Sequence, residues 1–229
     1  MGMFELKLAP DPPKPDKPSK RPKQEFENTL EGKSAARIAH YENLQAAKVA
    51  TIEQHLHSVP TSGEVVFIWT TNQFNTMAFI VWIIKNLGPI KDLTITTYSI
   101  GAVCINTLMK WYDSGRIEEI YFYIASYAKR IAVKNVDLLT AQANARERIT
   151  VGYGFNHSKV MLARTENDYI VITGSGNFSE NAYNEQYTIC NDKRIYDFYY
   201  SCIREDNSDA GTERGTDEAI NLSQHQGLF

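Results

Sequence analysis

Apolar and polar residues alternate with two different periods along the first half of the chain. Short strand-like runs of β-branched and aromatic residues are separated by longer runs of helical period. The strand-like runs are 64–71, 92–100 and 117–125, and the helix-like runs are 74–88 and 101–115. Each helix-like run ends at a glycine, Gly88 or Gly115, a common helix stop signal. Strand, helix and strand in this order are typical of an α/β layer with parallel strands.

The second half of the chain predicts one helix followed by several strands in close succession. The helix-like run is 136–147, the strand-like runs are 148–155, 158–164, 168–175 and 185–191, and a helical period returns over 193–205. The polar turn at 165–168 joins two strands that we expect to form an antiparallel hairpin. Parallel and antiparallel pairs together predict an α/β fold with a mixed sheet.

The two ends of the sequence differ in composition from the middle. Residues 1–33 are rich in proline and lysine and predict a flexible arm, which we interpret as a linker rather than a nucleic-acid-contacting arm. An amphipathic helix is expected over 34–58, at the start of a domain that runs from 34 to 205. The polar, acidic stretch 206–229 predicts a disordered tail.

Composition excludes several classes of protein. The longest apolar run, 77–84, is too short to span a bilayer, and the first residues do not resemble a secretory signal, so we expect a cytoplasmic protein without membrane contact. The three cysteines, Cys104, Cys190 and Cys202, are far apart and lack a CxxC pair. This spacing argues against a disulfide framework and a zinc site, and it predicts reduced core residues.

The formal net charge of −3 conceals a local excess of basic residues. Between residues 126 and 164 there are seven lysines and arginines against two acidic residues, whereas the acidic residues concentrate after Ile203. A basic stretch of this kind is typical of contact with a polyanion. The candidate nucleic-acid contacts are Lys129, Arg130, Arg146, Arg148 and Arg164, with a solvated surface as the alternative for Arg146 and Arg148.

One stretch, 154–180, combines residue types that bind and attack phosphate. His157 and Lys159 are two residues apart on a strand and therefore point to the same side, whereas Ser158 points to the other. The hairpin partner ends in Gly174-Ser175-Gly176-Asn177, a turn in which small residues let an anion approach backbone amides. Imidazole, ammonium and amide groups together predict a phosphate site with histidine as the nucleophile. Magnesium-binding carboxylates are missing from the cluster, so we expect no metal ion.

The spacing His157-Ser-Lys159 followed by Gly174-Ser-Gly-Asn177 resembles the signature of the phospholipase D superfamily, HxK then GSxN. The resemblance implies a phospholipase-D-like mixed sheet flanked by helices, with one motif copy per chain. It also implies catalysis by two histidines through a phosphohistidine, without any cofactor. Because this chain has a single HxK, the resemblance implies a homodimer in which the motifs of both subunits meet.

The sequence departs from the commonest form of that signature. Arg164 occupies the position of the family's aspartate, five residues after the lysine, and the nearby Asp168 is interpreted as a turn residue. A metal-independent branch of single-motif nucleases carries a glutamate after GSxN instead. Glu185 is the residue that matches it, and we expect it to bond to the histidine and orient it.

The resemblance therefore predicts a metal-independent nuclease that hydrolyses nucleic acid, DNA in preference to RNA. The expected catalytic residues are His157, Lys159, Asn177 and Glu185. Lys159, Ser175 and Asn177 are expected to bind the phosphate, although Ser175 fits a turn-shaping role better. Two alternatives stay open: a catalytically inactive phospholipase-D-like module that binds nucleic acid or supports assembly, and a phospholipase or phosphatidyltransferase. The lipid-acting alternative requires an exposed apolar surface, which the sequence does not reveal.

Overall fold

The computed structural model of this chain describes residues 48–54, 56–71, 75–178 and 184–205. A helix over residues 48–54 (α1) precedes a single seven-stranded sheet. The strands are β1 (Val65–Thr71), β2 (Asp92–Thr97), β3 (Ile120–Ala125), β4 (Ile149–Gly154), β5 (Val160–Arg164), β6 (Tyr169–Gly174) and β7 (Asn184–Asn191). The further helices are α2 (Thr76–Leu87), α3 (Ala102–Asp113), α4 (Ala128–Ile131), α5 (Val133–Asn144) and α6 (Lys193–Tyr200), which continues into a π-helical turn at Ser201–Glu205.

The sheet has the strand order β1-β7-β6-β5-β2-β3-β4 and contains both kinds of pairing. Strands β2, β3 and β4 are parallel, as the alternation of strands and helices predicted. The β5–β6 hairpin is antiparallel, and Asp168 closes its turn by accepting a hydrogen bond from the hydroxyl of Thr165. The predicted α/β mixed sheet flanked by helices is therefore confirmed, and Asp168 is the turn residue expected.

Strand β1 does not lie beside β2, although the two are consecutive in the chain. It forms the edge of the sheet and pairs antiparallel with β7, Phe67 opposite Thr188. Helix α2 therefore connects strands that are separated by β7, β6 and β5. The parallel pairing therefore extends only over β2 to β4. The sequence could not show this limit, because the hydrophobic period identifies strands but carries no information about which strands are neighbours.

Two hydrophobic layers hold helices against the sheet. On one face, Phe79 of α2, Ile105 of α3 and Leu139 of α5 are fully buried in one cluster with sheet residues that include Ile95 and Phe122. On the other face, Tyr196 of α6 and Ile203 pack in a smaller cluster with sheet residues that include Leu162 and Val171. Because successive residues of a strand face opposite sides, each buried strand supplies both layers.

Several boundaries differ from the prediction by a few residues. The structure describes the helix expected over 34–58 only from residue 48, and residues 56–60 are not helical. Helix α5 begins at Val133, three residues before the predicted run, and the short α4 was not predicted. The predicted arm and tail lie outside the described residues. The three cysteines, all described, form no disulfide, and Cys104 and Cys190 are buried as expected.

Edge strand β1 exposes an apolar stripe that the sequence did not reveal. Val65, Phe67 and Trp69 are two residues apart and are 45%, 80% and 70% exposed. The sequence did not reveal this surface, because the outward face of an edge strand cannot be told from a buried face by period alone. None of the helices in the described part of the chain has the length and apolar composition that a bilayer crossing requires.

Candidate active site

The predicted site residues come together at one edge of the sheet. The parallel strands β2, β3 and β4 and the strand β6 all end at this edge, and the antiparallel strands β5 and β7 begin there. His157 and Lys159 precede β5, and Asn177 follows β6. Glu185 is the second residue of β7. Carboxyl ends of strands form the usual position of ligand sites in α/β proteins. We refer to this as the catalytic edge.

The imidazole of His157 is exposed and stands beside the ring of Tyr98, which follows β2. The two ring centroids are 5.2 Å apart, with an angle of 56° between the planes. Two residues on, the Nζ of Lys159 donates a hydrogen bond to the backbone carbonyl of His157 at 3.1 Å. Partial burial lowers the pKa of Lys159, and the negative charge of Glu185 opposes that shift. The exposed imidazole of His157 and the partly desolvated ammonium of Lys159 therefore lie in the same short segment before β5.

Asn177 is fixed by the end of β2. The hydroxyl of Thr97 lies 3.1 Å from Oδ1 of Asn177, to which it donates, and 2.9 Å from the backbone carbonyl of Ser99. The next residue, Phe178, is fully buried, and its carbonyl accepts a hydrogen bond from the backbone amide of Gly101 at 2.9 Å. These contacts engage the carbonyl end of the Asn177 amide and leave its NH₂ group as the donor end.

Ser175 and Glu185 contact each other on the other side of the same loop. The hydroxyl of Ser175 donates to Oε2 of Glu185 and accepts from the backbone amide of Gln186 at 3.1 Å. Glu185 is 6% exposed. The bond described for Glu185 is thus with Ser175, and the orientation of His157 by Glu185 stays a prediction. Both bonds of Ser175 shape the turn, the role that the sequence favoured.

Close packing, and not backbone conformation, requires the two glycines of the loop, since neither has a φ in the left-handed region. A Cβ on Gly174 would lie 2.5 Å from the carbonyl oxygen of Gln186, and a Cβ on Gly176 would overlap the hydroxyl of Tyr187. Tyr187 is 2% exposed, and burial raises its pKa to about 12. The hydroxyl of Thr76, in the first turn of α2, donates to the carbonyl of Gly176 at 3.0 Å. The loop is therefore pressed between a buried tyrosine and a helix.

Asn156 is a buried polar residue that sequence reasoning missed. Its amide nitrogen donates to the carbonyls of Thr97 at 3.3 Å and Tyr123 at 3.0 Å, and its Oδ1 accepts from the amide and hydroxyl of Ser158 at 2.9 and 2.6 Å. Ser158 in turn lies 2.8 Å from the hydroxyl of Thr96. These bonds hold the His157 backbone on both β2 and β3. The sequence placed His157, Ser158 and Lys159 on a strand, but β5 begins only at Val160, so these three residues belong to the connection before the strand.

Position relative to the strands would have identified some of the missed residues. Thr97 and Tyr98 stand at the carboxyl end of a predicted parallel strand, where site residues of α/β folds collect. That signal was present in the sequence. The role of Asn156 was not readable, because its partners are backbone carbonyls of two other strands.

The predicted nucleic-acid contacts divide between the two ends of the sheet. Arg146 makes a double hydrogen bond with Asp113 at 2.8 and 2.7 Å, and Arg148 pairs with Glu119 at 3.3 Å. Arg164, at the end of β5, lies at the edge opposite to His157, as does Asp168. Lys129 and Arg130 follow β3 and lie at the catalytic edge, both exposed. Only these last two are near the candidate site.

No family model matches this sequence, and no curated protein is similar to it. One solved structure with a related arrangement is the polyphosphate kinase from Porphyromonas gingivalis, at 15% sequence identity and a TM-score of 0.48. The match covers 66% of this chain and 27% of the kinase, so the chain spans about a quarter of the kinase's length. Within the described ranges, no three histidine, cysteine or acidic side chains are grouped as metal ligands would be.

Proposed function

We propose that this chain is a metal-independent phosphodiesterase of the phospholipase D type, a nuclease that acts through a phosphohistidine on His157. The observation that supports the proposal is the convergence of His157, Lys159 and Asn177 at one edge of a rigid sheet, in the order that the HxK and GSxN motifs require. The three side chains come from two strand ends, and buried contacts fix the backbone beneath them.

The imidazole of His157 is the proposed nucleophile. Its ring nitrogen attacks phosphorus, a P–N bond forms, and the bond from phosphorus to the leaving oxygen breaks as that oxygen takes a proton. Water then attacks phosphorus and gives a proton to the group that had protonated the leaving oxygen, the P–N bond breaks, and the imidazole of His157 is regenerated. The first step needs a second imidazole as the proton donor, and a second copy of this chain supplies it in a two-fold homodimer.

Lys159 and Asn177 are the proposed ligands of the phosphate oxygens. The Lys159 ammonium has three donors and uses one of them on the His157 carbonyl, so its other donors can form charge-assisted bonds to phosphate oxygens. Thr97 holds the carbonyl end of the Asn177 amide, so the NH₂ end donates to the substrate. Fixed donors of this kind stabilise the charge that develops at phosphorus.

Nucleic acid is the proposed substrate because the basic residues that lie at the catalytic edge, Lys129 and Arg130, are exposed there. We favour DNA over RNA. A second candidate is a phospholipase or phosphatidyltransferase, which the exposed stripe of Val65, Phe67 and Trp69 on β1 favours. Neighbouring exposed apolar residues of this kind occur at interaction surfaces.

The test is cleavage of plasmid DNA and of a labelled RNA in excess EDTA. We expect cleavage that EDTA does not reduce and that His157→Asn lowers by about a thousandfold or more. His57→Asn is the matched control, because His57 is an exposed histidine outside the site, and it should cleave like the parent chain. Nucleic-acid binding without cleavage would favour the inactive module, and release of a phospholipid headgroup from vesicles would favour the lipid-acting candidate.

A further inference from the structure

Two exposed aromatic residues and two exposed cations lie on the segments that follow β3 and β4, next to the catalytic edge. We call them the aromatic strip: Tyr127, Lys129, Arg130 and Phe155. Tyr127 is 50% exposed and Phe155 is 92% exposed. Ala125 and Gly154 are register partners at the ends of β3 and β4, so the segments that carry the two rings leave the sheet side by side. The strip therefore lies next to the ends of β3 and β4 at the catalytic edge.

The strip is joined to the catalytic histidine by rings in contact. The ring of Tyr98 lies 5.2 Å from the imidazole of His157 and 6.2 Å from the ring of Tyr127. The guanidinium of Arg130 lies 5.8 Å from the Tyr127 ring, and the ammonium of Lys129 lies 4.4 Å from the ring of Tyr153. Arg130, Tyr127 and Tyr98 thus form one chain of contacts that leads to the candidate nucleophile, and Lys129 lies over a ring of the neighbouring strand.

Phe155 is exposed although the backbone on both sides of it is fixed. The carbonyl of Gly154 accepts hydrogen bonds from the amides of Ser126 and Asn156, each at 2.8 Å. Asn156 is 8% exposed and its side chain bonds to two strands. The backbone of Phe155 therefore has a defined position two residues before His157, and its apolar side chain is exposed to solvent. Single exposed apolar residues are common, but an aromatic ring on fixed backbone beside a site offers a face on which a base can stack.

We infer that the strip binds single-stranded nucleic acid, with bases stacked on Phe155 and Tyr127 and phosphates paired with Lys129 and Arg130. This inference rests on the proposed function and specifies its substrate. A base in a duplex is already stacked and cannot place its face on a side chain, whereas bases of a single strand do so regardless of sequence. Only two cations lie in the strip, which is too few for tight binding by phosphate contacts alone.

Charge argues against a second copy of this chain as the occupant of the strip. A two-fold interface places the same patch of both subunits in contact, so Lys129 and Arg130 would approach like charges of the partner near the axis. A polyanion is complementary to the same residues. A lipid surface remains as the competing occupant that the experiment includes.

The test is the affinity of a fluorescent 12-nucleotide single strand, measured by anisotropy on a His157→Asn background so that no cleavage interferes. The comparison probes are the same sequence as a duplex, an abasic strand of equal length, and vesicles of phosphatidylcholine with phosphatidylglycerol. We expect Phe155→Ala and Tyr127→Ala each to weaken single-strand binding on the order of tenfold, with little change for the duplex or the abasic strand. The double variant of Lys129 and Arg130 to alanine should reduce the salt slope by about 1.4.

Phe198→Ala is the matched control, since Phe198 is a 61% exposed phenylalanine on α6, outside the strip. It should bind like the parent. The inference is overturned if the parent binds no single strand, if the abasic strand or the vesicles bind as tightly as the base-bearing strand, or if Phe155→Ala leaves affinity unchanged. Loss of a dimer in Phe155→Ala, seen as a drop in solution mass, also overturns it. Because binding is measured without cleavage, an inactive chain that still binds single strands refutes the proposed function and not the strip.

Discussion

Replacement of Gly176 by alanine should disrupt the site from within the fold. The added Cβ would overlap the hydroxyl of Tyr187, lie 3.0 Å from its Cζ and lie 3.2 Å from the Oγ1 of Thr76. Carbon atoms in contact are normally 3.5–4.0 Å apart, so the loop or the ring must move by about 1 Å. Tyr187 is packed edge-on against Phe79 at 4.9 Å and is 2% exposed, so the ring has little room to yield.

The expected cost of Gly176→Ala is about 1–3 kcal/mol in the free energy of unfolding, the range for overpacking a core. Activity should fall further than stability, because a displacement of about 1 Å at Asn177, the next residue, costs on the order of a hundredfold in rate. The assays are urea denaturation and single-turnover cleavage. Gly101→Ala is the control: its Cβ would lie 3.8 Å from the Phe178 carbonyl, an ordinary contact, and its φ of −88° suits any residue.

Tyr187→Phe tests whether the hydroxyl is the obstacle. Removing the oxygen leaves the 3.0 Å approach to Cζ, which a shift of a few tenths of an ångström relieves. The double variant should therefore be less impaired than the sum of the two single variants, with a coupling of about 1 kcal/mol or more. Additive effects of the two substitutions, or a Gly176→Ala chain with normal cleavage, would refute the packing explanation.

Three further predictions concern charged groups. Arg204→Met should cost about 3 kcal/mol in urea denaturation, because it leaves Asp92 buried without its 2.9 Å partner, and Asp92→Asn in addition should recover part of the loss; a cost under about 1 kcal/mol would contradict this. Glu185→Gln should lower the pKa of Lys159 further and move the alkaline limb of the pH–rate profile to lower pH, and an unmoved limb would show that the two are not coupled in catalysis. Asp192 caps α6, and its bonds to Arg194 lower its pKa to about 2, so its contribution to stability is complete above about pH 4 and is lost as the pH falls toward 2. Thermal unfolding of Asp192→Asn should lack that loss, and equal acid sensitivity of the two chains would count against it.

Local pattern was sufficient to predict the strands, the long helices and the β5–β6 hairpin. Period 2 and period 3.6 are set by backbone geometry, so they are visible in any strand or helix with one buried face. The place of β1 at the far edge was not visible, because pairing depends on contacts between residues more than a hundred positions apart, such as Val65 opposite Cys190.

The motif predicted the cluster at the catalytic edge better than it predicted the bonds within it. His157, Lys159 and Asn177 meet because two strands of one hairpin start and end at the same edge, a consequence of short-range pairing. The bond from Ser175 to Glu185 depends on the alignment of β6 with β7, which no spacing in the sequence encodes. Arg146 and Arg148 pair with Asp113 and Glu119, acidic partners from other elements that the local basic excess did not reveal.

The dimer has a direct test in solution. A homodimer predicts a mass twice the 26.0 kDa of the chain by light scattering. Mixing the inactive His157→Asn chain with parent chain should lower the specific activity of the parent, because each mixed dimer has a single imidazole. A monomer with full cleavage activity would require a different proton donor for the leaving oxygen.

Trapping of the covalent intermediate tests the central claim most directly. The chain is mixed with a labelled oligonucleotide in EDTA, quenched at alkaline pH within one turnover, digested, and examined by mass spectrometry. The account predicts a phosphoryl adduct on the peptide that contains His157 and none on the peptide with His57. Steady cleavage by the His157→Asn chain, with no adduct on any histidine of the parent, would contradict it.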